Sequence, residues 1–256
     1  MFNSHFQRIV RNKISIIAFI ILLLIPMFEI AQLLIYQQNS QETYHPAFAF
    51  FLSSSSIGHA PQILLLWFLP IYFLLLGADD AIQDYKTGYR NILISKIGKR
   101  RYFLEKIFTS FTISFISMFI SLFINLILVS IIFAKGTFSK GLMEMKLDGN
   151  TLFNLSVAHP FVALTLFSIV SCILAGLAGT LGASTSLFFV DKKYAYAAAF
   201  FIWFLLVLNK QSLIYLFQPF TEFGFNVLLP IFLLAIGVLI TIPLIVFFYG
   251  VKFNED

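Results

Sequence analysis

A charged island inside an apolar chain limits the fold more than any other feature. Residues 79–106 read DDAIQDYKTGYRNILISKIGKRRYFLEK and hold seven of the seventeen Lys and Arg and four of the twelve Asp and Glu. On each side, Pro61 to Gly77 and Ile107 to Ala134 are almost purely apolar. Both runs approach or exceed the roughly 20 residues needed to cross a bilayer core of about 30 Å. Of the 256 residues, 59% are hydrophobic and 11% charged, against about 25% charged in a soluble domain. One soluble core cannot hide that much apolar surface, so lipid must be the solvent.

The same patterning along the chain predicts an all-α integral membrane protein. Six transmembrane helices are expected, at about 14–36, 57–77, 107–134, 160–187, 194–212 and 227–250. Phe2, Phe6, Ile9 and Val10 fall near helical spacing among polar residues, which predicts an N-terminal interfacial helix at 1–13. Arg8, Arg11 and Lys13 precede the first run as in a signal peptide. However, Pro26, Glu29 and Gln32 stand where small residues would form a cleavage site, so a retained helix is expected. The AFAFFL piece at 47–52 is too short to span and is expected to lie at, or dip into, the outer surface. A short helical excursion in the outer leaflet is expected within 209–226.

Six spans put both ends on one side. Segments 1–13, 78–106, 191–193 and 251–256 carry thirteen Lys and Arg; segments 37–60, 135–157 and 209–226 carry four. The positive-inside rule then places both termini and the 78–106 loop in the cytoplasm, and the protein in the cytoplasmic (plasma) membrane. The net charge of +5 reports this topology and not a nucleic-acid partner.

Little in the chain suggests chemistry of its own. His5, His45, His59 and His159 form no HExxH or other ligand spacing, so no metal is expected. His45, His59 and His159 remain the one candidate cluster for an interfacial enzyme. No catalytic residue is expected. Glu29 is the one acid inside a predicted span, which excludes a membrane aspartyl protease. It also leaves too little buried charge for a proton relay. No Walker A sequence is present, and no cofactor is expected in this chain. Cys172 reads as a small packing residue. Gly176, Gly179 and Gly182 lie in an apolar helix, which rules out a dinucleotide loop. Their smooth face lets another helix approach closely, in the same chain or in a second copy. Glu29 and Asn125, with Gly176 and Gly179, are the candidates for a transport pathway or dimer interface. Glu29 near the outer side either binds a basic cargo group or snorkels to water. Asn125 otherwise hydrogen-bonds between helices.

The island itself is ordered. Acids come first (Asp79, Asp80, Asp84), then Gly88, then Ile92-Leu93-Ile94, then Lys96, Lys99, Arg100 and Arg101. A short amphipathic helix between Asp84 and Ser95, with Gly88 as its weak point, is expected. This run resembles the cytoplasmic loop of ABC-2 type transporter permeases. There an acid precedes a Gly, followed by a leucine-rich triplet, a serine, basic residues and a closing Lys. Here these places are Asp84, Gly88, Ile92-Leu93-Ile94, Ser95, Lys99-Arg100-Arg101 and Lys106. The resemblance implies the membrane subunit of an ABC exporter: two permease copies or paralogues in lipid, and two separate ATPase subunits carrying ATP and Mg. It implies that the loop docks on the ATPase as a coupling helix through Asp84, Tyr85, Lys86, Gly88, Tyr89, Arg90, Lys99, Arg100 and Arg101. The expected cargo is amphipathic or hydrophobic: a peptide, an antimicrobial or a lipid-linked molecule. The alternative is a membrane sensor or anchor that binds a cytoplasmic partner without transport.

Overall fold

A computed structural model describes Arg8 and residues 11–40, 42–53, 55 and 57–252. Most of the expected 1–13 interfacial helix lies outside the described residues. The regular elements are helical apart from one isolated backbone bridge, Tyr44 to Phe138. In chain order the α-helices are α1 (Lys13–Ser40), α2 (Pro46–Ala49), α3 (Ala60–Trp67), α4 (Leu69–Phe73), α5 (Asp80–Lys86), α6 (Tyr89–Ile97), α7 (Lys99–Ile132), α8 (Thr151–Ala158), α9 (Pro160–Phe188), α10 (Lys192–Leu208) and α11 (Phe225–Lys252).

Four of these, α1, α7, α9 and α11, are long and apolar enough to cross a membrane. A fifth candidate is α3 with α4 and its π-helical extension to Ala78, a pair bent by 58°. The bend sits at Phe68, two residues before Pro70. The expected fifth span is the 17-residue α10. At 1.5 Å per residue it is about 26 Å long, short of a bilayer core of about 30 Å. The expected third span is longer than its apolar run: α7 starts at Lys99, because the helix break falls at Gly98 (φ +79) and not at the last charge.

Helix α9 is the centre of the packing. Its second half, from Leu174 to Leu187, is buried throughout, against α7, α11, α10 and α4. The small residues make this possible. A Cβ on Gly176 would stand 2.6 Å from the Phe111 ring, and one on Gly179 would stand 2.1 Å from Ser114 Oγ. The Ser110 hydroxyl donates to the Gly179 carbonyl at 2.8 Å. The glycine face, open to either reading in the sequence, is filled by α7 of the same chain, so it offers no surface to a second copy.

Two of the prolines, Pro26 and Pro70, are matched by side chains on neighbouring helices. A proline cannot donate to the carbonyl four residues before it. For Pro26 that carbonyl belongs to Leu22, and the Ser121 hydroxyl donates to it at 2.8 Å. For Pro70 it belongs to Leu66, and the Trp203 indole N–H donates to it at 2.9 Å. Both donors are fully buried.

The AFAFFL piece is not at the surface. Residues 47–52 are all buried, as the helix α2 and a 3-10 turn at Phe51–Ser53. They pack against α1, α7 and α9. The aromatic side chains exclude the piece from water, while Asn125 and Gln62 satisfy its backbone: the Phe51 N–H donates to Asn125 Oδ1 at 3.0 Å, and the Phe51 carbonyl accepts from Gln62. The expected excursion in 209–226 is a 3-10 helix, Leu213–Phe217.

Candidate functional site

The island folds as a helical hairpin, α5 and α6, set between the π-turn after α4 and the start of α7. Gly77 (φ 149) ends the π-turn and Gly88 (φ +70) makes the hairpin corner. Left-handed backbone of this kind strains residues with a Cβ. The expected single amphipathic helix across Asp84–Ser95 is therefore two helices with Gly88 between them. Beneath the hairpin lies a small core of its own, built from Ala81, Leu93, Tyr102, Phe103, Leu187 and Phe247.

Three carboxylates fasten the hairpin to the rest of the chain. Asp84 is fully buried and accepts from both sides: Arg8 Nη1 lies 2.5 Å from Oδ1, and Lys106 Nζ 2.8 Å from Oδ2. The Tyr102 hydroxyl donates to the same Oδ2 at 3.3 Å. Arg8 Nη2 donates to Gln83 Oε1 at 3.2 Å. Asp80, one turn earlier, meets Arg8 and Lys106 only at 3.9 Å each. Its Oδ2 accepts no hydrogen bond among the described residues. Asp79 points the other way. It pairs with Lys192 at 2.7 Å and accepts from the Tyr196 hydroxyl at 3.1 Å, both on α10. The Ser186 hydroxyl of α9 donates to the Ala78 carbonyl at 2.6 Å.

The two buried acids titrate in opposite senses. Burial alone raises both carboxyls. For Asp84, Lys106 and Arg8 outweigh burial and hold it below the usual carboxylate range. For Asp80 burial prevails over the more distant Lys106 and Arg8, and the carboxyl is pushed up.

These contacts divide the residues implied for partner contact. Asp84 has no surface left to offer, so it anchors the hairpin and is not itself a docking residue. Tyr85, Lys86, Gly88, Tyr89, Arg100 and Arg101 are exposed, and Arg90 and Lys99 partly so. Tyr85, Tyr89 and Ile92 are 50%, 44% and 51% exposed. They form an exposed apolar and aromatic set on a charged hairpin. Lys86 also pairs with Asp191 at 3.4 Å, and Arg101 with Glu105 at 2.9 Å, both at the surface. Sequence reasoning missed the anchor of Arg8, Asp80, Tyr102 and Lys106 around Asp84: Arg8 lies 76 residues before Asp84, and no spacing rule joins them. The usable signal was that the island's acids precede its bases, which invites pairing across a hairpin.

On the opposite side, Asn125 joins two elements. Its Oδ1 holds Phe51 and its Nδ2 donates to the Pro26 carbonyl at 3.1 Å. Glu29 is fully buried, and its Oε1 accepts from Gln62 at 3.4 Å. It does not reach water by snorkelling. The candidate histidines serve local structure. His45 Nδ1 accepts from the Ala47 N–H at 3.2 Å and caps α2, His59 adopts a left-handed turn before α3, and His159 joins α8 to α9. Among the described residues no group of three His, Cys, Asp or Glu is placed to hold a metal.

The chain is 56% identical to the uncharacterized protein YybM of Bacillus subtilis (strain 168) over 253 residues, 99% of each chain. It belongs to the family of YybM. No family profile and no solved structure matches the chain.

Proposed function

We propose that this chain is the permease subunit of an ATP-driven exporter of the ABC-2 type, with ATP and Mg bound on separate ATPase chains. The observation that carries the reading is the α5–α6 hairpin. It presents Tyr85, Tyr89 and Ile92 outward with Lys86 and Arg90 beside them, and Asp79 and Asp84 fasten it to α7 and α10. A soluble motor needs such a part: a small contact surface joined rigidly to the membrane helices, so that a push is transmitted and not absorbed. The absence of a Walker A sequence supports hydrolysis on another chain.

In this reading the bent pair α3–α4 and the short α10 both cross the bilayer. The permease then has six spans, both termini lie in the cytoplasm, and two permease copies assemble with two ATPases in the cytoplasmic membrane. The bundle is apolar, and the cargo is amphipathic or hydrophobic, a peptide or a lipid-linked molecule. Glu29 and Asn125 hold helices together in this scheme; cargo passes along another surface.

The test is co-purification from native membranes with an ATPase, followed by ATP turnover in vesicles. Tyr89→Glu with Ile92→Glu, both at exposed positions of the hairpin, should abolish the complex or cut turnover about tenfold while leaving the thermal midpoint of the isolated permease near the wild-type value. A wild-type chain that recruits no ATPase, or turnover indifferent to these substitutions, overturns the proposal.

A further inference from the structure

A cavity lies on the hairpin side, and it shares Tyr85 and Arg90 with the contact surface described above. It is a pocket of about 240 Å³ where the hairpin, the start of α7 and the last turns of α9 and α11 converge. Arg90 is the one basic side chain in its wall; half of the lining is aromatic, including Tyr85, Tyr102, Phe188 and Tyr249, and the rest is small or aliphatic. The guanidinium stands 5.7 Å from the Tyr85 ring and 5.7 Å from the Phe103 ring. Among the described residues Arg90 makes no ion pair. Its neighbours on the island do: Lys86, Arg101 and Lys106 all have carboxylate partners.

A guanidinium held by two rings is pre-organised. Its planar fork of donors is kept in one orientation, which favours planar or tetrahedral oxyanions over solvent. The pocket is also placed at a boundary. Phe188 ends the long apolar helix α9, and Tyr249 lies one turn before the end of α11. Tyrosine rings with polar tips are characteristic of the level of lipid headgroups. In the proposed topology this end faces the cytoplasm, where anionic lipids attract basic residues.

We propose that the pocket binds the phosphodiester headgroup of an anionic phospholipid from the cytoplasmic leaflet. Arg90 takes the phosphate oxygens. The rings of Tyr85 and Phe188 flank the glycerol region, and the acyl chains run along the exposed apolar sides of α9 and α11. A bound headgroup there touches the hairpin and two long helices at once, so lipid composition would set how firmly the hairpin sits on the bundle. Tyr85 and Arg90 belong to both the pocket and the hairpin's outer surface, but lipid retention is read on the permease without an ATPase, so its failure and a failure to recruit an ATPase are distinguishable.

The experiment uses the full-length protein in nanodiscs made of phosphatidylcholine with a minor fraction of phosphatidylglycerol. After release into mild detergent, retained lipid is counted by native mass spectrometry. Wild type should retain phosphatidylglycerol over phosphatidylcholine by about tenfold, the gain of one charge-assisted contact. Arg90→Gln should lose that preference and Arg90→Lys should keep part of it. Val190→Trp, which fills the pocket mouth without changing charge, should lose it as well, so the result does not rest on one variant. Lys96→Gln, a surface charge on the same hairpin outside the pocket wall, should leave it unchanged. Equal retention of the two lipids overturns the proposal, as does a preference that survives both Arg90→Gln and Val190→Trp. Displacement of the lipid by an equimolar amount of free glycerol 3-phosphate also overturns it, because the site would then serve a soluble phosphate.

Discussion

Asp80 and Asp84 lie one helical turn apart and face the same two cations, Arg8 and Lys106, at different distances. At 2.5 and 2.8 Å, Asp84 is compensated; at 3.9 Å, Asp80 is not. Asp84→Asn should therefore destabilise the protein at neutral pH by about 3 kcal/mol, the cost of breaking a buried pair from one side. Asp80→Asn should be neutral or mildly stabilising. The pH dependence separates them further. The Asp84 carboxyl is lowered in the fold, so its contribution is complete above the unfolded value near 4 and is lost as pH falls through the folded value. The Asp80 carboxyl is raised, so its ionisation weakens the fold as pH rises through its folded value. Thermal midpoints in detergent between pH 3.5 and 8 check both: the Asp84→Asn deficit should shrink toward acid pH, and any Asp80→Asn gain should shrink with it. Equal effects of the two substitutions at pH 7 would contradict the assignment. The sequence shows that both acids exist on one face. It does not show Arg8 returning over a separation of 76 residues to meet Asp84, because ion pairs of that range leave no periodic trace.

At the scale of elements, helices approach where side chains are small and where backbone groups need partners. Gly179→Ala should cost about 1–3 kcal/mol as overpacking, since its Cβ would meet Ser114 Oγ, Ser114 Cβ and the Ser110 carbonyl at once. Adding Ser114→Gly should recover part of the loss. If the glycine face met a second copy instead, Gly179→Ala would alter the oligomer's mass in detergent and leave the monomer's stability alone. The proline carbonyls give a parallel case. Trp203→Phe keeps most of the buried ring but leaves the Leu66 carbonyl without its donor, and should cost about 1–3 kcal/mol for an orphaned buried group. Guanidine-free thermal unfolding followed by tryptophan-independent probes such as circular dichroism measures it. The long helices were legible because apolar runs of span length have few alternatives in a chain this poor in charge. The hairpin corner at Gly88 was half legible: glycine marks the weak point, but helix against hairpin depends on the carboxylates that anchor each arm. Of the two places expected for the 47–52 piece, at the outer surface or dipping into it, the structure has it buried; its aromatic composition suits an interface as well as a core. Only the polar partners Asn125 and Gln62, from distant helices, decide between them.

At the scale of the whole molecule, the two polar ends are built differently. The end bearing the hairpin is held by ion pairs that join Arg8, α5, α7 and α10. The other end is held by backbone and amide contacts among its three connecting segments. The Thr137 N–H donates to the Thr43 carbonyl at 3.0 Å, and Gly136 fits only because a Cβ there would collide with the Tyr44 carbonyl. The Asn150 side chain donates to the Glu222 carbonyl at 2.6 Å. Segments 37–60, 135–157 and 209–226 thus form one cap, which requires them to share a side of the membrane. Helix α10 runs from Lys192 at the ion-paired end toward the capped end, and in the proposed six-span topology it crosses the layer although it is only 17 residues long. A bilayer thinned locally, or flanking lysines reaching outward, accommodates a helix a few ångström short at a fraction of a kcal/mol per ångström. Single cysteines introduced into a Cys172→Ser background test this directly with a membrane-impermeant thiol reagent on intact cells. Lys146→Cys and Lys210→Cys should be labelled from outside, and Lys96→Cys and Lys193→Cys only after permeabilisation. Labelling of positions 193 and 210 from the same side would mean that α10 does not cross, and the chain would have five spans with its termini on opposite faces.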